Sequence, residues 1–252
     1  MNSYTPNALT ALVLALADDE LILGHRNSEW TGHAPILEED IAFSNIAQDE
    51  LGHAILWYRI FENLTSRDSD YLVFFREARD FSNVQMMELP KGDWAFTIMR
   101  QYLFDAFEMT RLKHLTTSSY QPIADAAAKI RTEEIYHYRH TVNWVKRLGL
   151  GTEESHRRMQ TALDQVWAYA LQLFVPLPDE AQLVAEKIFP NSDEVKSEWE
   201  AIVLPVLKES NLIVPATRPP ACTSREQHTE HLTALLVEMQ ETARLESPDV
   251  KW

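Results

Sequence analysis

Four long segments of this sequence repeat apolar residues at the spacing of an α-helix. They run from about Asn7 to His25, from Ile36 to Asn63, from Trp94 to Thr116 and from Gln121 to Leu148. Gly, Pro, Ser and Asp residues fill the breaks between them, as is typical where helices end. Only 6 of the 252 residues are Gly, which disfavours turn-rich β architectures. The sequence therefore predicts an all-α protein built on a four-helix bundle.

The rest of the chain predicts additional C-terminal helices. They are expected at about 152–174, 179–188, 193–210 and 226–245, with a proline-containing linker at 214–224 before the last one. We expect one domain over residues 1–252, with a core bundle at about 5–148 and a helical extension at about 151–252.

Composition and charge exclude several classes of protein. The net charge of −15, without a concentrated Lys and Arg patch, predicts no nucleic-acid partner. Cys222 is the only cysteine, so a reducing, cytoplasmic setting is expected. No segment reaches the roughly 18 consecutive apolar residues that span a bilayer, and the early apolar stretch Ala8 to Ala17 lacks the basic flank of a signal peptide. We therefore expect a soluble protein with no membrane partner.

Two of the predicted long helices carry the motif Glu-x-x-His. The second helix contains Glu50 and His53, and the fourth contains Glu134 and His137. Residues three apart lie on one face of a helix, so each pair can bind one metal ion. Both motifs stand inside strongly apolar stretches, which predicts that they point into the core.

One further carboxylate precedes each motif at nearly the same distance. Glu20 lies 30 residues before Glu50, and Asp105 lies 29 residues before Glu134. Two Glu-x-x-His pairs and two carboxylates from other helices make up the ligand set of ferritin-like di-iron bundles. The predicted ligands are Glu20, Glu50, His53, Asp105, Glu134 and His137. Oxygen and imidazole donors suit iron, with manganese as the alternative.

Other interpretations of these residues stay open. The Glu and His content alone would supply one Glu-x-x-His by chance, and a third motif, Glu153 with His156, is expected in solvent at the start of a helix. Glu108, one turn from Asp105, is a rival ligand. Without a metal, the six residues would form a buried hydrogen-bonded network, because buried charges persist only when they are paired.

Three other groups of residues suggest weaker roles. The residues His25, Glu29, Trp30 and His33 are expected in the first interhelical loop, solvated or as a capping or partner surface. The pair His228 and His231 is expected to serve helix capping or subunit docking. Among the aromatic residues, Phe104 and Phe107 flank Asp105 and are the ones expected near a substrate.

The sequence resembles the ferritin-like proteins of bacterial phenylacetic acid catabolism over almost its whole length. The likeness is carried by His25–Ala42, Asn45–Ala54, Arg79–Asn83, Arg100–Tyr102, Tyr136-His137, His228–Leu232 and the terminal Trp252. It is strongest to the smaller ferritin-like subunits of the phenylacetyl-CoA ring 1,2-epoxidases, which are usually described as structural.

The resemblance implies both a reaction and partners. The reaction is epoxidation of the aromatic ring of phenylacetyl-CoA with O2, using electrons from a separate reductase. The expected partners are a homologous catalytic ferritin-like subunit, the reductase and small accessory subunits, with a homodimer when the chain is alone. Glu20, Glu50 and His53 would hold one iron and the other three ligands the second, with Glu50 and Glu134 bridging.

This chain keeps all six ligands, whereas many smaller subunits have lost part of the set. The leading hypothesis is therefore a subunit of the epoxidase that scaffolds its catalytic partner and holds a di-iron site of its own. The alternative is a self-sufficient di-metal oxidase or oxygenase that acts on another substrate. Iron storage would call for a self-assembling shell, which nothing in the sequence indicates.

Overall fold

The computed structural model describes residues 5–216 and 219–247. Every regular element in these ranges is helical, so the predicted all-α, ferritin-like class is confirmed. The α-helices are α1 Thr5–Ser28, α2 Leu37–Thr65, α3 Ser69–Phe74, α4 Gln85–Glu88, α5 Trp94–Leu115, α6 Gln121–Gly149, α7 Glu153–Ala170, α8 Glu180–Ala185, α9 Ser192–Glu209 and α10 Glu230–Gln240. None of these helices is long and apolar enough to cross a membrane. Trp252 and part of the predicted 214–224 linker lie outside the described residues.

Within the described ranges the chain divides into two compact units. The N-terminal unit takes the residues up to Pro90 together with those from Ser224 onward, and the central unit is Lys91–Thr223. Residues 151–223, expected in a C-terminal extension, belong to the central unit, whereas the chain returns to the N-terminal unit at Ser224. The single domain over 1–252 stays a prediction.

In the N-terminal unit, α1 and α2 pack side by side as a helical hairpin. Gly24 permits their close approach, because a Cβ there would lie 3.0 Å from Leu51 Cγ and 3.2 Å from the backbone oxygen of Ala47 on α2. Helix α2 ends at Thr65, and the following residue, Ser66, has a left-handed φ of 59°. Helix α4 packs against α1, and α10 packs against α3 and α4.

In the central unit, α5 and α6 form a second hairpin, and α7 and α9 pack against both helices. Helix α5 begins after Asp93, whose side chain accepts a hydrogen bond from Phe96 N at 2.9 Å. The buried Trp199 of α9 donates from Nε1 to Leu103 O at 2.9 Å, and its ring lies 5.3 Å from that of Trp167 on α7. This aromatic core fixes α5, which carries one predicted ligand.

The structure corrects some predicted boundaries. The short helices α3 and α4 were not predicted, and α3 begins after Asp68, whose side chain accepts from Tyr71 N at 2.9 Å. His25 lies in the last turns of α1 rather than in a loop. The last helix starts at Glu230 instead of 226, because the preceding residue, Thr229, is extended.

Candidate metal centre

The first three predicted ligands come together in the N-terminal unit. Glu20 lies on α1, and Glu50 and His53 lie one turn apart on α2. Glu20 and Glu50 are 0% exposed and His53 is 1% exposed. One donor atom from each residue lies within 4.8 Å of the other two. His53 Nδ1 is 3.5 Å from Glu50 Oε2 and 3.8 Å from Glu20 Oε2. We call these three residues the N-terminal half-site.

The N-terminal half-site favours positive charge. Burial lowers the pKa of His53, but the neighbouring carboxylates of Glu20 and Glu50 outweigh burial and raise the pKa well above its ordinary value. Two carboxylates facing one imidazole in a buried place therefore stabilise a cation at this point.

The other three predicted ligands come together in the central unit. Asp105 lies on α5, and Glu134 and His137 lie one turn apart on α6, all with no exposed surface. His137 Nδ1 lies 2.9 Å from Glu134 Oε1. One donor atom of Asp105 and one of His137 lie within 4.8 Å of each other. We call these residues the central half-site; like the N-terminal one, it offers two carboxylates and one imidazole.

Two residues outside the predicted ligand set donate hydrogen bonds to Asp105. Gln101 Nε2 donates to Asp105 Oδ1 at 2.6 Å, and the Thr141 hydroxyl donates to Asp105 Oδ2 at 2.7 Å. Gln101 lies one turn before Asp105 on α5, and Thr141 lies one turn after His137 on α6. Only this helical spacing could have indicated them.

The rival ligand Glu108 and the third Glu-x-x-His make contacts outside the two half-sites. Glu108 is buried one turn beyond Asp105 and forms an ion pair with Arg111. In the third Glu-x-x-His, Glu153 is exposed at the start of α7, and His156 Nδ1 lies 2.8 Å from the backbone oxygen of Gly149.

The two predicted substrate residues are part of an aromatic core. Phe104 and Phe107 are 0% and 4% exposed, with ring centroids 6.3 Å apart. Phe107 also meets Phe174 edge-on at 5.4 Å, and the Arg111 guanidinium lies 4.6 Å from the Phe107 centroid. Contact with a substrate stays a prediction for both.

The first of the other predicted clusters is only partly exposed: His33 is exposed, whereas Trp30 is buried. His228 does not cap a helix: its Nδ1 lies 2.7 Å from Glu88 Oε1 and its Nε2 lies 3.0 Å from Phe81 O. The His228 ring thus binds the last segment of the chain to the rest of the N-terminal unit.

Comparison with known proteins identifies the family of this chain. The sequence profile of the family described as "Phenylacetic acid catabolic protein" matches residues 1–252. The chain belongs to this family. Within it, the chain is 37% identical to the C subunit of 1,2-phenylacetyl-CoA epoxidase from Escherichia coli (strain K12) over 248 residues, 98% of this chain and 100% of the relative.

A second member of the phenylacetic acid catabolic proteins is more distant. The chain is 27% identical to the A subunit of 1,2-phenylacetyl-CoA epoxidase from the same organism over 206 residues, 79% of this chain and 66% of the relative. The chain is therefore homologous to two different subunits of one multicomponent enzyme, and the family resemblance inferred from the sequence is confirmed.

Proposed function

We propose that this chain is a subunit of a multicomponent phenylacetyl-CoA 1,2-epoxidase and pairs with a homologous ferritin-like subunit. The observation that carries the proposal is the likeness to the Escherichia coli C subunit, which extends over the full length of that relative. The weaker likeness to the A subunit supports a pair of homologous subunits in one enzyme.

We also propose that the chain binds iron, with manganese as the alternative. The donor set fits, because each half-site offers carboxylate oxygens and one imidazole, which hard first-row metals accept. Each half-site also buries two carboxylates beside a single imidazole, and a dication would neutralise that excess of negative charge. Glu20, Glu50 and His53 would hold metal in the N-terminal unit, and Asp105, Glu134 and His137 in the central unit.

Helix spacing and burial prepare the predicted ligands for metal binding. In each Glu-x-x-His pair the His Nδ1 faces the Glu carboxylate one turn before it. The helix backbone therefore holds the two donor groups of a pair side by side. Burial of the ligands excludes water, which strengthens their interaction with a cation. Bound iron would supply the activation of O2 for ring epoxidation, with electrons from a separate reductase.

A second candidate function is a self-sufficient di-metal oxidase or oxygenase. The observation that favours it is the buried set of two carboxylates and one imidazole in each unit, which a purely structural subunit does not require. The two functions differ in one respect: a subunit is inactive alone, whereas a self-sufficient enzyme consumes O2 with only a reductant.

Metal content tests the proposed iron site. The chain is reconstituted anaerobically with ferrous iron, and roughly two irons per chain are expected. A Glu50→Ala, His53→Ala variant is expected to lose iron. A Glu153→Ala, His156→Ala variant removes the third Glu-x-x-His, which lies outside both half-sites, and is expected to keep the wild-type content.

Activity then separates the two functions. The reconstituted chain is assayed with phenylacetyl-CoA, O2 and reductant, alone and together with the reductase and the homologous subunit. Epoxide formed only in the complete mixture supports the role of a subunit, whereas turnover by the chain alone supports the self-sufficient enzyme. If the folded wild-type chain bound no iron, the proposed metal site would be refuted and the chain would act only as a scaffold for its partner subunit.

A further inference from the structure

We propose that Thr141 is a positioning residue that orients the Asp105 carboxylate for metal binding. The inference rests on the proposed function, because it assigns a role toward a metal held by the central half-site. Thr141 is 0% exposed, and its hydroxyl lies 2.7 Å from Asp105 Oδ2.

The hydroxyl of Thr141 has one proton and three acceptors within reach. Besides Asp105 Oδ2, the backbone oxygens of His137 and Tyr138 lie 3.1 Å and 3.2 Å away. The carboxylate is the nearest of the three and carries a negative charge, and charge-assisted hydrogen bonds are the stronger ones. The proton of Thr141 is therefore directed to Asp105.

The place of Thr141 makes this contact suited to holding a ligand. Thr141 stands one turn beyond His137 on α6, so one helix supplies two ligands and the hydroxyl that orients a third. The β-branched Thr side chain is restricted to about two rotamers in a helix, so few other positions of the hydroxyl compete with the one that faces Asp105. Gln101 holds the other oxygen, at 2.6 Å.

These two donors fix the rotation of the Asp105 carboxylate. Each carboxylate oxygen has about two acceptor sites, so a hydrogen bond to Thr141 or Gln101 does not by itself prevent the same oxygen from binding a cation. Partners of this kind orient metal ligands, and their removal typically lowers metal affinity by roughly 10–100-fold.

The test compares three substitutions in the full chain. Thr141→Val keeps the shape and removes the hydroxyl, and Thr141→Ser keeps the hydroxyl. Thr132→Val is the matched control, because Thr132 is an exposed residue of the same helix whose hydroxyl donates to Ala128 O at 3.3 Å. Each protein is titrated anaerobically with Co²⁺, followed by visible absorption, and the melting temperature of the metal-free form is recorded.

Thr141→Val is expected to weaken one of the binding events by about 10-fold or more, with Thr141→Ser and Thr132→Val close to wild type. If Thr141→Val does not fold, Thr141→Ala is titrated in its place with the same expected result. Wild-type affinity in the folded variant lacking the hydroxyl would overturn this inference alone. A wild-type chain that binds no Co²⁺ or iron would overturn both this inference and the proposed metal site.

Discussion

The carboxylate of Glu88 accepts a hydrogen bond from Nδ1 of His228 at 2.7 Å, although the two residues stand 140 positions apart in the chain. Glu88 is fully buried and also accepts from Thr229 N at 2.6 Å, from the Thr229 hydroxyl at 2.7 Å and from Asn83 Nδ2 at 3.0 Å. One carboxylate thus binds the start of the last helical segment to the rest of the N-terminal unit.

Replacing Glu88 by Gln is expected to loosen this last segment. The Gln amide is uncharged, and its NH2 group is a hydrogen-bond donor that would face the donors of His228, Thr229 and Asn83. A hydrogen bond to a charged group contributes about 1.5–3 kcal/mol. Hydrogen exchange is expected to show faster exchange of the α10 amides in Glu88→Gln. The matched control is Glu238→Gln, since Glu238 is exposed on α10. Equal protection of α10 in both variants would show that the Glu88 contacts do not hold it.

Replacing Asp18 by Asn is expected to destabilise the N-terminal unit. Asp18 is fully buried and accepts from Arg76 Nη2 and from the Tyr58 hydroxyl, each at 2.5 Å, and from Ser82 N at 2.7 Å. Asn leaves the buried Arg76 without its counter-charge, which costs about 3–5 kcal/mol.

Urea unfolding measures the effect of Asp18→Asn. The control is Asp70→Asn, because Asp70 is an exposed acid of α3 and its substitution is expected to change the free energy of unfolding by under about 0.5 kcal/mol. A comparably small change for Asp18→Asn would mean that the Arg76 charge finds another partner.

Two glycines in long helices are expected to respond to Ala in opposite directions. At Gly149, a Cβ would lie 2.7 Å from Ser210 O and 2.9 Å from Ser210 Cβ, so Gly149→Ala is expected to cost about 1–3 kcal/mol. At Gly52, nothing lies within 4 Å of the added Cβ, and Gly52→Ala is expected to stabilise by about 0.5–1 kcal/mol. Thermal unfolding of the two variants checks both signs, and stabilisation by Gly149→Ala would contradict the packing of α6 against Ser210.

His25 is expected to make stability depend on pH. Burial, and then the charge of Arg26, lower the pKa of His25 below its ordinary 6.5, and Glu29 offsets only part of this. Below pH 6.5 the unfolded chain binds a proton that the folded chain does not, so this contribution to stability falls as the pH falls through the folded pKa. His25→Gln is therefore expected to lose less stability than wild type between pH 7 and pH 5, as chemical denaturation would measure.

The control for this pH dependence is His33→Gln, because His33 is exposed. It is expected to follow the wild-type pH profile. A His25→Gln profile parallel to that of wild type would show that the histidine titrates alike in the folded and unfolded chain.

The long helices and the burial of the six predicted ligands could be predicted because both follow a periodic pattern in the sequence. Glu50 and His53 stand one turn apart in an apolar helix, and Glu134 and His137 repeat that spacing. The short helices left no such trace, since α4 is only 4 residues long. That the two half-sites form one six-ligand centre stays a prediction.

Contacts between distant residues were beyond the sequence for a different reason. Thr141 reaches Asp105 only because α6 packs on α5, whereas Gln101 lies one turn from Asp105 on the same helix. The contact of Glu88 with His228 joins residues 140 positions apart, and no local pattern encodes it. His228 was predicted to serve helix capping or subunit docking, and its contact with Glu88 was not predictable.

The return of the chain to the N-terminal unit at Ser224 affects the order in which the two units can fold during translation. Domains generally fold as units during synthesis, the N-terminal one first. Here Lys91–Thr223 is complete while the N-terminal unit still lacks the residues from Ser224 onward. The unit whose translation starts first is thus completed after the central unit, and Glu88 can contact His228 only once the whole central unit has been translated.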